Sequence, residues 1–410
     1  MAETLNMMSI TIEQFVNELK MDLEDGNYSP MVGIGLSGIG KTMAIHEVTK
    51  QLGIGFCELR LVALTETDIL GVPTIEGGKT TWASNELLPY VSRDGQKGVL
   101  VLDEITSASK TVRAVVYQLM DSKRRLSNYE LPTEWKVVAL GNGPSDGGVY
   151  TGMEAAFLSR ATCYRIEPDL SCWVKWATSH GVNPTVIAFL QFMPDMLHVF
   201  DPDEIASIFP CPRSWTALSD RLNSREKRTQ NGILSIDAVE IYAAGAVGVE
   251  AAPKFSAFYA YNNEAISAED VLSGKVLSSD YGFNVGKIST QVMYITIQNI
   301  IKALNDELSK QGSGNATSKD SSSWFLSGDQ GAVSSSPEGK YSMQMLQRVA
   351  NVCRFFIKIS ELRLDYGMTG INELMNSSDK FADIVINDTR FDELYPEFIQ
   401  WCVDNAVIGE

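Results

Sequence analysis

The octapeptide Gly35-Leu36-Ser37-Gly38-Ile39-Gly40-Lys41-Thr42 constrains the fold of this chain more than any other feature. It follows a short apolar run, Met31-Val32-Gly33-Ile34, and opens a stretch with helical character from Thr42 to Lys50. Its glycines let the backbone turn tightly, so that successive N–H groups point at one place. The helix that follows directs its positive N-terminal end at the same point. A strand, turn and helix of this kind cradle phosphate. Lys41 is then placed to reach the β- and γ-phosphates of a nucleotide, and the Thr42 hydroxyl to hold Mg2+. A plain glycine-rich turn before a helix is the blander reading, and the flanking strand and helix argue against it.

Such a unit needs a sheet around it. Val99-Leu100-Val101-Leu102 and Lys136-Val137-Val138-Ala139-Leu140 are nearly continuous apolar runs, as parallel strands covered on both faces require. Between them Val112, Val115, Val116, Leu119 and Met120 recur at helical spacing, which predicts an amphipathic helix over Ser109 to Ser122. The alternation of apolar runs and amphipathic stretches from Thr11 to Ala161 predicts an α/β domain. From Asp169 to Val249 helical pieces take over, at Cys172–Ser179, Pro184–Phe192, Trp215–Asn223 and Ile236–Ala244. Ser309 to Lys340, rich in Ser and Gly, reads as a linker that does not fold alone. Tyr341 to Leu364 and Pro396 to Asn405 follow as helices, with Pro396 suited to a first turn.

The first long apolar run ends in two acids, Asp103-Glu104. At the carboxyl edge of a parallel sheet, where ligands of such sheets bind, Asp103 can hold Mg2+ through water and Glu104 can polarise an attacking water. The second run ends in Gly141-Asn142-Gly143, and the Asn142 amide can donate to a phosphate oxygen and accept from a water at once. Taken singly, either could be an ordinary strand end or turn. After a phosphate-binding loop they form a set.

In that order, followed by Leu158-Ser159-Arg160, these motifs resemble the AAA+ ATPases, and within them the MoxR-like group. Asp68-Ile69-Leu70-Gly71-Val72-Pro73 is similar to a signature of that group. Arg124-Arg125-Leu126 through Trp135 is similar to its hairpin before sensor 1, and Pro212-Arg213-Ser214-Trp215 to its lid motif. The resemblance covers roughly residues 28–222. It departs from the family where Gly143-Pro144-Ser145 follows the asparagine, and it gives out after about residue 250.

The resemblance implies a P-loop AAA+ core, a parallel sheet sandwiched by helices, then an α-helical lid and a further mostly helical C-terminal region. The expected divisions are an α/β nucleotide-binding domain over residues 1–167, a lid over 168–250 and a lid extension over 251–308. The Ser/Gly-rich linker over 309–340 and a C-terminal helical segment over 341–410 complete them. ATP and Mg2+ are the implied ligands. Gly35, Ser37, Gly38, Ile39, Gly40, Lys41, Thr42 and Met43 bind the nucleotide, and Thr42 and Asp103 the metal. Glu104, Asn142, Arg160 and Arg213 are the implied catalytic set, Asn142 as sensor 1 and Arg213 as sensor 2. Arg160 takes the position of an arginine finger acting on a neighbouring subunit, although a surface arginine fits that spot too. A ring oligomer, expected to be a hexamer, and a protein client or a partner with a von Willebrand factor A (VWA) domain are implied as well. Residues 66–81 become a pore-facing hairpin, and Lys123-Arg124-Arg125 either a client contact or a solvated helix end.

Composition narrows the alternatives. With 44% hydrophobic and 21% charged residues, the 410-residue chain is neither disordered nor fibrous and can hold two or three domains. No run of about 18 apolar residues predicts a transmembrane helix. Met1 to Leu5 lacks the basic and apolar regions of a secretory signal, so a cytoplasmic location is expected. The 34 basic against 51 acidic residues give a net charge of −17, which repels nucleic-acid backbones and disfavours a nucleic-acid motor. A nucleotide-stabilised scaffold with little turnover is the other rival, and the intact Glu104 argues against it. The six cysteines and three histidines are scattered, so reduced thiols are expected and a zinc site is not.

Overall fold

A computed structural model describes residues 7–83, 85–144, 153, 155–201, 208–230, 232–278, 288–310, 340–361 and 363–405. The chain divides into two compact units, the first comprising 1–173, 195–218 and 244–251, the second 174–194, 219–243 and 252–410.

The first unit is built on a parallel sheet. Along the chain run β1 (Met8–Thr11), α1 (Ile12–Glu24), β2 (Met31–Gly35), α2 (Lys41–Leu52), β3 (Gly55–Arg60) and α3 (Glu66–Leu70). A hairpin of β4 (Pro73–Glu76) and β5 (Lys79–Trp82) follows, then α4 (Val91–Asp94), β6 (Lys97–Asp103) and α5 (Lys110–Met120). A second small hairpin, β7 (Arg125–Leu126) with β8 (Tyr129–Glu130), leads to β9 (Glu134–Gly141), α6 (Ala155–Leu158) and β10 (Thr162–Glu167). The six main strands lie in the order β1-β10-β2-β9-β6-β3, each parallel to its neighbours.

Alternate residues of the central strands feed opposite faces, as the two-residue period of a strand demands. Leu100, Leu102, Val137 and Ala139 join the core beneath α5, with Val112, Val116 and Leu119 of that helix. Val99, Val101, Val138 and Leu140 join the opposite core, with Phe15 and Leu19 of α1 and Ile45 of α2. This three-layer architecture explains why β6 and β9 are apolar without interruption. Local signals agree with it. Thr11 and Gln14 form a capping box at the start of α1, and the Ser109 hydroxyl accepts from Val112 N–H at the start of α5.

The helices continue with α7 (Leu170–Ser179), α8 (Pro184–Phe192), α9 (Pro212–Glu226), α10 (Ile236–Val247), α11 (Ala252–Tyr259), α12 (Ala268–Leu272) and α13 (Thr290–Lys310). They end with α14 (Met343–Ser360), α15 (Leu364–Ser377), α16 (Asp379–Asn387), α17 (Thr389–Leu394) and α18 (Glu397–Asp404). Pro396 sits at the N-cap of α18 rather than inside its first turn. In the second unit, helices from both sides of residues 311–339 share one apolar core. Ile297, Ile301 and Leu304 of α13 meet Leu346, Phe356 and Ile359 of α14, and Leu374, Phe381 and Phe398 beyond. The predicted linker thus falls mostly on residues outside those described. Among the described residues no helix is long and apolar enough to cross a membrane, and all six cysteines are free thiols.

Glu373 of α15 is an acid inside this helical unit. Its carboxylate accepts from Gln298 Nε2 at 2.5 Å and from Gln191 Nε2. Burial pushes its pKa up from 4.5 to about 7. The folded chain therefore keeps a proton that the unfolded chain releases, and stability falls as pH climbs from about 4.5 to about 7, by on the order of 3 kcal/mol. We expect Glu373→Gln to narrow the difference in thermal midpoint between about pH 5 and pH 8. A difference as wide as that of the wild type would exclude Glu373 as its source.

Candidate functional site

The strand order brings the site together. β9 lies between β2 and β6, so the carboxyl ends of these three strands are consecutive along one edge of the sheet. The loop after β2, the asparagine after β9 and the acids at the end of β6 therefore stand side by side.

The loop after β2 passes through two left-handed glycines, Gly38 (φ 80°) and Gly40 (φ 95°), before α2 begins at Lys41. At Gly38 a side chain is excluded by more than backbone preference, because a Cβ there would lie 2.7 Å from Cys211 Sγ. His198, Cys211 and Arg213 of the same unit cover the loop. The backbone N–H of Arg213 donates to Gly38 O at 3.0 Å, and His198 Nε2 lies 3.0 Å from Ser37 O. A carbonyl only accepts, so Nε2 is the donor in that contact. Because a trans peptide sets N–H opposite C=O, these contacts turn the amides of Gly38 and Ile39 away from the covering segment.

Lys41 is only 9% exposed, and its ammonium donates to Gly35 O and Leu36 O, both at 2.8 Å, and to Asn142 Oδ1 at 3.2 Å. Thr42 Oγ1 donates to Asp103 Oδ2 at 3.1 Å, and Asp103 Oδ1 accepts from the N–H of Glu104 at 3.0 Å. Thr42 and Asp103 thus converge as a pair of hard oxygen donors suited to Mg2+, an ion that keeps water and phosphate oxygens as its other ligands. No cluster of three or more His, Cys, Asp or Glu among the described residues could hold a metal unaided.

Glu104 adopts a left-handed backbone, φ 57°, in a region that non-glycine residues rarely occupy. The turn is over-determined. Ile105 N–H donates to Leu140 O at 2.9 Å, extending the pairing of β6 with β9, and Ser107 and Ala108 N–H both donate to Glu104 O. The same turn delivers Thr106, fully buried, whose Oγ1 accepts from the backbone N–H of Asn142 at 3.0 Å. Neither Thr106 nor His198 was marked by its sequence setting. Each gains its part only from strands or segments that meet in space.

The remaining predicted residues lie as follows. Gly35 ends β2, and Ser37 lends its carbonyl to His198. The Ile39 side chain belongs to the core, and Met43, in the first turn of α2, is 57% exposed. Arg213 stands in the first turn of α9, its Cβ 3.7 Å from where a Gly38 Cβ would be. Arg160 is not gathered with the rest. β10 starts at Thr162, opposite Met31, which is the far end of β2 from the glycine loop. At about 3.3 Å per residue β2 alone separates the two by about 13 Å, and Arg160 lies beyond its far end. Arg124 departs from the reading of a solvated helix end. It donates to the carbonyls of Thr133, Pro132 and Trp135 and so closes the β7–β8 hairpin.

This fold and this edge have the geometry of a P-loop nucleotide-binding domain. Residues 31–161 match the family model of the AAA domain (dynein-related subfamily). Among solved structures, a RuvB mutant from Thermotoga maritima is 14% identical with a TM-score of 0.32, over 60% of this chain and 67% of that one. NtrX from Brucella abortus in complex with ADP is 15% identical with a TM-score of 0.32, over 50% of this chain and 48% of that one. No curated protein sequence matches the chain.

The Thr106 hydroxyl offers a direct test of how the Asn142 loop is held. Thr106→Val keeps the shape but leaves the Asn142 amide without its acceptor, a loss of about 1–3 kcal/mol. Chemical denaturation should report that loss in Thr106→Val and near-wild-type stability in Thr106→Ser, which keeps the hydroxyl.

Proposed function

We propose that the chain is a MoxR-like AAA+ ATPase that hydrolyses ATP at the interfaces of a ring, a hexamer by family resemblance, and uses the cycle to remodel a protein client. A VWA-domain protein is the partner this resemblance suggests.

The observation that carries the reading is the convergence of Lys41, Thr42, Asp103 and Asn142 through hydrogen bonds at one sheet edge, with Arg160 beyond the opposite one. In the proposed cycle the amides of the glycine loop and the Lys41 ammonium hold the β- and γ-phosphates. Thr42 and Asp103 hold Mg2+, which when bound neutralises charge on the phosphates. Glu104, set by its turn at the end of β6, accepts the proton of the attacking water. Asn142 fixes that water or the γ-phosphate, and Arg213 reads the phosphate from α9. Arg160 cannot serve its own chain's loop, which supports a role on the neighbouring subunit's ATP, where a guanidinium stabilises developing negative charge. The −17 charge supports a protein client over a nucleic acid.

The test is the steady-state ATPase rate as a function of protein concentration, with oligomer mass followed in parallel. We expect the rate per subunit to climb as the assembly forms and to vanish in Glu104→Gln. Arg160→Ala should lose hydrolysis while binding nucleotide nearly as the wild type does. A rate that stays near zero despite ATP-dependent assembly, with a VWA-domain protein added, would favour a scaffold instead.

A further inference from the structure

Arg160 is itself held by an acid. Its Nε lies 2.5 Å from Asp121 Oδ1, and the two side chains are 45% and 44% exposed. The backbones that carry them are far less free. Leu119 and Met120, buried in the core, fix the last turn of α5, and Asp121 follows as its extended C-cap, its carbonyl accepting from Arg124 N–H at 3.0 Å. On the other side Phe157 of α6, 1% exposed, stacks on Tyr117 of α5 with ring centroids 4.2 Å apart and planes 24° from parallel. Arg160 N–H then donates to Phe157 O at 3.1 Å. An aromatic stack, buried on the Phe157 side, thus locks the ends of α5 and α6 together, and the acid and the guanidinium project from that lock. They stand on the rim of a groove of about 470 Å3 that Tyr28, Ser29, Pro30 and Arg124 also line.

A half-exposed ion pair contributes little to folding stability, so this one needs another reason to sit on so firm a base. A guanidinium is planar with donors in a fixed fork, and engaging Nε sets the plane of the group and the direction of its Nη1 and Nη2. We propose that Asp121 is the positioning residue of Arg160, aiming its fork at the phosphates of a neighbouring subunit's nucleotide. The inference rests on the reading of Arg160 as a residue acting in trans. It assigns Asp121 no contact with the nucleotide.

The test compares Asp121→Ala, Arg160→Ala, the double variant and the wild type for ATP hydrolysis, nucleotide binding, oligomer mass and thermal midpoint. Asp121→Ala should lower kcat about ten- to a hundredfold, as misaimed catalytic groups do, and leave the other three measurements in place. The double variant should be no slower than Arg160→Ala. Mixed oligomers then separate aim from damage. Asp121→Ala subunits keep an intact glycine loop and Glu104, so adding Glu104→Gln subunits, which bring an intact Asp121–Arg160 pair, should restore hydrolysis. Asp121→Ala turning over at or above the wild-type rate while Arg160→Ala is inactive would overturn the positioning role alone. So would a loss that Glu104→Gln subunits do not restore. Wild-type hydrolysis by Arg160→Ala would overturn the trans reading and this inference with it.

Discussion

The buried ammonium of Lys41 ties together the ends of two neighbouring strands. A charge removed from water needs dipoles around it, and Lys41 finds them in the carbonyls of Gly35 and Leu36 beyond β2 and in the amide oxygen of Asn142 beyond β9. The glycine loop and the asparagine loop are therefore set by one cation. Asn142 is held in turn by Thr106, and Thr106 by the turn that Glu104 begins, so the geometry passes from β2 through β9 to β6 without leaving the sheet edge. Removing the charge would release both loops.

The helical unit solves a different problem, the closing of a core from pieces far apart in the chain. Arg348 of α14 donates to Glu307 of α13 and to Glu269 of α12, and Asn351 Nδ2 donates to Leu272 O at 2.9 Å. These charged and polar clamps fix the register of α12, α13 and α14 around an aliphatic centre that alone would tolerate sliding. The described helices on either side of residues 311–339 both belong to this one core.

Much of the first unit was legible because its physics is local. An uninterrupted apolar run such as Val99 to Leu102 has few uses other than a strand covered on both faces, and the glycine–lysine–threonine turn announces its own shape. The strands that were not individually read lack that signature. β3 is an edge strand with Glu58 and Arg60 exposed, and β1 has only four residues. β10 (Thr162–Glu167) lies inside the sheet yet is largely polar, with only Ile166 fully buried. The site was legible to the same extent. Residues in the glycine loop or at strand ends declared themselves. Thr106, His198 and Asp121 did not, since each works through a partner 36 or more residues away and nothing beside it in the chain hints at the meeting.

The left-handed backbone at Glu104 sets fold and chemistry against each other. A side chain in that region costs about 1–3 kcal/mol that glycine would not incur. Drift toward glycine at this position would therefore relax the turn after β6 while removing the carboxylate. If Glu104 has the proposed hydrolytic role, a lineage selected for robustness alone would be drawn to discard the acid, whereas one selected for turnover would have to keep a locally unfavourable residue and hold it down with the pairing of Ile105 to Leu140. Under the proposed hydrolytic role, a glutamate held at φ 57° is thus a trade of firmness for reactivity, recorded in a single dihedral angle.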